Sequence, residues 1–157
     1  MTDTPRPARI FRPHNRLEKI LNAAERRAFA EHVARAEREV AALLPGLRAR
    51  LPDQVAVLVD LCHEPEAEVF AASPEIGFKA LAVAEAARAV GLEGVARVAD
   101  EIWALVEALL DRGVWHTEAL IVQAEALQMS MANAPLPPRE QAVIDERLRA
   151  LRDAVGF

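Results

Sequence analysis

Between Ser73 and Gly113 the chain reads SPEIGFKALAVAEAARAVGLEGVARVADEIWALVEALLDRG, a stretch punctuated for two helices joined by a tight turn. Ser73-Pro74-Glu75 opens the first: serine is a preferred cap, proline's fixed φ suits the first helical position, and the glutamate complements the positive helix end. Ile76, Ala80, Val83, Ala87 and Val90 then recur at steps of three and four, so they fall on one side of an α-helix and form its expected buried stripe. Gly91 follows as the residue able to take the left-handed conformation that ends a helix. The second helix covers about 93–112 and stops at Gly113. Its Val95, Val98, Ile102, Leu105 and Leu109 form the most regular heptad-like seam in the chain, which predicts close packing against neighbours.

The flanking sequence is helical by the same criterion. Residues 24–44 carry Phe29, Val33, Ala36, Val40, Leu43 and Leu44 as one apolar stripe, and Pro45-Gly46 interrupts it. Leu47 and Leu51 continue a short turn before Pro52, and residues 53–62 resume with Val55, Leu58, Val59 and Cys62. The two prolines either kink one helix or separate two, and separation is the favoured expectation. Residues 63–72 are acidic and read as a short helix or loop. Thr117-Glu118 restarts a helix to about Ala132, with Leu120, Ile121, Ala124, Leu127, Gln128 and Met131 expected inside. Asn133 and the Pro135-Leu136-Pro137-Pro138 run end it. A last helix, about 138–154, shows Val143, Ile144, Leu148, Leu151 and Val155, with Arg147, Arg149 and Arg152 toward its negative end. No strand pattern and no repeat is present. The expectation is an all-α protein: an antiparallel four-helix bundle of about 74–90, 93–112, 117–132 and 138–154, with additional N-terminal helices at about 24–44 and 53–62. Residues 1–15, rich in proline and arginine, read as an extended basic tail, and residues 16–157 as a single bundle domain.

Composition narrows the function classes. Hydrophobic residues are 52% of the chain but aromatics only 4%, so the core is built from aliphatic and small side chains. The net charge of −5 gives no global drive toward nucleic acid. In residues 1–27, however, Arg6, Arg9, Arg12, Arg16, Lys19, Arg26 and Arg27 outnumber Asp3, Glu18 and Glu25, so this basic start either meets an acidic partner or docks on its own acidic body. Within it, Ile10 and Phe11 stand as an apolar anchor amid arginines. Cys62, alone, forms no internal disulfide and fits a reducing compartment. No apolar run is long enough to span a bilayer, and the N-terminus lacks the apolar core of a signal peptide. A cytoplasmic location is expected, with neither membrane nor nucleic acid as a partner.

A search for chemistry finds no catalytic, cofactor or metal residues. His14, His32, His63 and His116 are scattered and lack ligand spacing. Glu64, Glu66 and Glu68 alternate and would diverge on a helix, so they read as a solvated acidic face. The glycines sit singly, not in a phosphate loop, and Cys62 lies in an apolar stripe. Ser130 and Thr117 have no neighbouring base. Trp103 borders the core, while Trp115, beside His116, either anchors a partner or plugs the end of the bundle, the latter favoured by tryptophan's preference for burial.

The hairpin resembles histidine phosphotransfer domains, the four-helix bundles that relay phosphoryl groups in two-component signalling, and is most similar to a divergent group in alphaproteobacteria that includes accessory chemotaxis proteins. In that family the phosphorylated histidine is followed by lysine three residues on and glycine four on, and a Leu/Phe-Gly pair closes the turn ten residues after it. Here Val90-Gly91-Leu92 matches the turn, and GVARVADEIWALVEAL and LIVQAEALQM match the helices after it, so the likeness in layout covers about residues 64–133. Counting back from Gly91, the acceptor position holds Leu81, the lysine position Ala84 and the glycine position Glu85. Leucine cannot take a phosphoryl group. The resemblance therefore implies a non-catalytic signalling adaptor that binds a receiver domain, a kinase or a similar partner through Phe78, Leu81, Glu85 and Arg88, with Ile10, Phe11 and Trp115 as secondary candidates. Two alternatives stand beside it: a structural or oligomerising protein, monomer or homodimer, using the 95–109 seam, and a phosphorelay through His32, His63 or His116. The open question is whether Phe78 and Leu81 face solvent or lie beneath the N-terminal helices.

Overall fold

The computed structural model describes residues 22–156. They form six helices and, among the described residues, no strand: α1 Ala23–Cys62, α2 Glu66–Ala71, α3 Ser73–Ala89, α4 Glu93–Arg112, α5 Thr117–Ala132 and α6 Pro138–Val155. The chain divides into two units, Met1–Ala42 and Leu43–Phe157.

Of the first unit, the described part is the start of α1. Asn22 opens it with a capping box: its side-chain oxygen accepts from the N–H groups of Ala24 and Glu25, both at 3.0 Å, and Glu25 Oε2 accepts from the Asn22 N–H at 2.8 Å. The stripe read from the sequence is present as helix but not as core, since Phe29, Val33 and Val40 are all exposed.

The expected break between residues 24–44 and 53–62 does not occur, because α1 runs through Pro45 and Pro52. Each proline deletes one backbone donor, to the carbonyls of Ala41 and Arg48. Both of those residues and both prolines are exposed, so water can serve the orphaned acceptors. Downstream, Leu51, Val55, Leu58, Val59 and Cys62 are buried, and that packing outweighs the local helix-breaking tendency.

In the second unit α4 is the central element. It packs against α3 most extensively, then against α5, and also along α6. The whole predicted seam of Val95, Val98, Ile102, Leu105 and Leu109 is buried, joined by Ala96, Ala99 and Val106. It is therefore occupied within its own chain rather than offered to a second copy. On α3 the predicted stripe of Ile76, Ala80, Val83 and Ala87 is buried and Val90 half-buried. Gly77, at the α4 side, would bring an added Cβ within 3.7 Å of Val106 Cγ1 and 3.8 Å of Trp103 Cδ1. Both hairpin helices end as expected: Gly91 and Gly113 have φ of +76° and +65°. The Leu92 N–H reaches back to Ala87 O, and the Val114 N–H to Leu109 O, the Schellman pattern. Ser73 does not cap α3, however. Ala72, the last residue before it, is already near-helical and serves as N-cap, leaving Ser73 buried in the first turn.

The second half of α1 buries more apolar side chain than α6, whose buried residues are Gln141, Ile144 and Leu148. Polar latches hold α6 on α4: Arg97 to Asp145 at 2.8 Å and Arg152 to Glu101 at 2.9 Å. Such partly exposed pairs contribute about 0–1 kcal/mol each, so they orient α6 more than they bind it. Two helix faces differ from expectation. On α5, Gln128 is exposed while Gln123 and Ser130 are buried; on α6, Val143 is exposed and Gln141 buried.

Two outcomes follow from this core. Ile102→Ala should lower the unfolding free energy by roughly 2–5 kcal/mol in chemical denaturation, whereas Phe29→Ala should change it by less than about 0.5 kcal/mol. Burial also pushes the Cys62 thiol up to about 12, so at neutral pH it is protonated as well as shielded. Its labelling by a maleimide should proceed only through unfolding and should speed up in Ile102→Ala; rapid stoichiometric labelling of the native chain would contradict the packing.

Candidate interaction surface

The outer face of α3 is set by what its inner face must do. Gly77, Ala80, Ala84 and Ala87 are small and buried, which lets α3 approach α4 closely, while Ile76 and Val83 supply the larger buried side chains. Phe78 stands on the outer face, 74% exposed. Leu81, one turn on, is half-buried, and Glu85 and Arg88 are exposed. Phe78 and Leu81 are thus not hidden. Trp103 of α4 lies against Gly77, the residue before Phe78, and keeps 40% of its surface exposed. Phe78 and Trp103 are exposed apolar side chains of the hairpin, and Leu81 is partly so.

The same hairpin carries charged pairs. Arg88 is bonded to Asp100 on α4, and that bond pushes the guanidinium further above its ordinary pKa, so it stays ionised. Lys79 pairs with Glu75 one turn away at 3.4 Å. On the Lys79 side, α3 and the second half of α1 enclose a shallow, mainly apolar groove of about 320 Å³ lined by Asp53, Gln54, Val57, Lys79, Ala82 and Val83. The four residues named from the sequence therefore share one helix face, as spacing requires, and the structure adds Trp103 and Val57 at its two borders.

Ala84 is fully buried against the core. The α3 face offers the exposed Phe78 beside the half-buried Leu81, with Glu85 and Arg88 at its edge.

The other candidates fall elsewhere. Trp115 is half-buried, with its ring edge-on to Phe70 at a centroid distance of 5.3 Å and its indole N–H donated to Thr117 Oγ1 at 3.0 Å. It lies just before the start of α5, packed on Phe70 and partly exposed. Ile10, Phe11 and His14, with the whole 1–15 tail, lie outside the described residues. His32 is exposed on α1 and His116 is exposed at the start of α5. Among the described residues, His63 alone has an oriented ring: Nδ1 lies 2.8 Å from Val59 O, and Nε2 faces Glu125 at 3.9 Å. Glu64, Glu66 and Glu68 are exposed, as expected of a solvated face, and among the described residues no cluster of three His, Cys, Asp or Glu could hold a metal ion. Nor is any described helix long and apolar enough to cross a membrane.

Sequence reasoning missed the buried polar residues Gln123, Ser130 and Gln141. Their signal was positional: each recurs at three- and four-residue steps with the apolar core residues of its own helix. Comparison of the chain with protein-family models, with curated proteins and with solved structures finds no match.

Proposed function

We propose that this chain is a non-catalytic signalling adaptor of the histidine phosphotransfer type, cytoplasmic, that docks a receiver domain on the outer face of α3 and α4. The observation that carries this reading is the exposure of Phe78 beside Leu81, the residue standing at the acceptor position of that family. Burying an aromatic of this kind contributes about 1.5–3 kcal/mol, and a few such residues dominate most protein interfaces. Trp103 enlarges the apolar centre, while Glu85 and the Arg88–Asp100 pair supply a polar rim that sets orientation. A kinase or another two-component or chemotaxis protein would use the same chemistry and is an alternative outcome of the same test.

The other readings have less support. The seam considered for self-association is buried within the chain, so a homodimer would need a different face. Relay through a displaced histidine is best served by His63. If Nδ1 donates its proton to Val59 O, Nε2 is left as the nucleophile. The Glu125 carboxylate in front of it, however, would repel an incoming phosphoryl group.

In a pull-down with the receiver domains of the parent cell, the wild-type chain should retain at least one. Phe78→Glu and Leu81→Glu should each weaken that binding by about tenfold or more, with an unchanged thermal midpoint, because they place a charge at the centre of the contact. Retention of no receiver, or binding indifferent to both substitutions, would remove the proposal. Incubation with a phosphorylated receiver should leave no acid-labile phosphate on the chain; its appearance, and its loss in His63→Gln, would establish the relay instead.

A further inference from the structure

Where α3 turns into α4, the bundle holds a cavity of about 300 Å³. One wall is the start of α4. This helix begins without a side-chain cap, since its N-cap is the buried Leu92. Its first backbone bond runs from the Ala96 N–H to Leu92 O at 3.0 Å, so the N–H groups of Glu93, Gly94 and Val95 have no acceptor among the described residues. The positive end of a twenty-residue helix is thus open on this cavity.

The opposite wall supplies an independent observation. Ser130, 0% exposed, lines the cavity from α5, and its Oγ has no hydrogen-bond partner among the described residues. Gln141, 6% exposed, lines it from α6. Its Nε2 is donated to Asp145 Oδ1 at 2.8 Å, but its Oε1 has no partner and hangs over Gly94, where an added Cβ would collide with it. Buried polar atoms without partners are costly and rare, and two facing one cavity are rarer.

The geometry points to a binding site for a small monocarboxylic acid that carries a hydrogen-bond donor next to its carboxylate. The carboxylate would accept from the first N–H groups of α4 and from the Ser130 hydroxyl. The adjacent hydroxyl or N–H would donate to Gln141 Oε1. Leu92, Val95, Leu136 and Pro138 offer the apolar walls for an aliphatic remainder. Charge selects a monoanion: Glu93 lies on the lining, and Arg97, also there, is already neutralised by Asp145 at 2.8 Å, so a phosphate dianion would meet net repulsion. Free 2-hydroxy and 2-amino acids share this chemistry with the carboxyl end of a peptide. The site lies about 20 Å along α3 from Phe78, and it does not depend on the adaptor reading.

The test is titration of the full ¹⁵N-labelled chain with lactate, alanine and N-acetylalanine, the last standing for a peptide terminus, while the amide resonances of Glu93, Gly94 and Val95 are followed. At least one should shift all three resonances saturably, and which one does so identifies the source. Acetate, lacking the donor, should bind about fivefold more weakly or worse, and inorganic phosphate should not saturate. Ser130→Ala should weaken binding about fivefold while leaving the thermal midpoint unchanged or higher, since it deletes an unpaired buried hydroxyl; a purely structural serine would give the opposite pair of results. Gly94→Ala should abolish binding by displacing Gln141. No saturable shift from any of the three acids, equal responses to acetate and phosphate, or undiminished binding by Ser130→Ala would each overturn the assignment.

Discussion

The close approach of α3 and α4 is the constraint on which the second unit depends. It is possible only because the facing residues are small: Gly77, Ala80, Ala84 and Ala87 on one helix, Ala96 and Ala99 on the other, all buried. Large side chains on this line would push the helices apart and open the seam of Val95, Val98, Ile102 and Leu105. Among the larger side chains of α3, Ile76 and Val83 are buried with that line and Phe78 is exposed. At Gly77 an added Cβ would just reach van der Waals contact with the edge of Trp103, a ring that keeps 40% of its surface in solvent.

Where local chemistry and tertiary packing agree, the structure was legible in the chain. Gly91 and Gly113 could be read as helix stops because few other residues take positive φ cheaply, and both do so. The α4 seam could be read because five aliphatic residues at heptad spacing have few competing explanations. Misreadings arose where the two levels oppose each other. Pro45 and Pro52 argue for a break, but the cost of a missing donor at an exposed position is smaller than the gain from burying Leu51 through Cys62 in one register. Ser73 looked like a cap because no local rule shows that the preceding residue already turns with the helix.

The polar residues show a different limit. Periodicity assigns a phase, and an apolar bias then chooses which positions of that phase are inside. On α5 that bias selected Gln128 with Leu120 and Leu127, whereas the helix is rotated to bury Gln123 and Ser130. On α6 it selected Val143 over Gln141. The α6 error exchanges an apolar residue for a polar one and the α5 error one polar residue for others, and hydrophobicity alone resolves neither. Two of these three buried polar residues, Ser130 and Gln141, line the cavity at the start of α4. Gln123, buried as completely, does not line it.

The turn between α3 and α4 explains why that cavity has its donors. Three residues, Val90, Gly91 and Leu92, both end one helix and begin the next. As the second residue beyond α3, Leu92 belongs to a Schellman motif, where an apolar side chain packs back onto the helix it has just left, and it is accordingly buried. As the N-cap of α4, the same residue would do better as serine, threonine or aspartate. One side chain cannot serve both roles. Burying a leucine contributes about 1.5–3 kcal/mol and a capping side chain about 0.5–2 kcal/mol, so the apolar choice prevails. The carbonyls of Ala86, Ala87 and Arg88 at the end of α3 accept from backbone donors, while the N–H groups at the start of α4 are left without a side-chain acceptor. A longer loop would have separated the two positions and allowed a cap. The brevity that binds the hairpin tightly is therefore also what leaves its second helix with an uncapped positive end, facing Ser130 and Gln141.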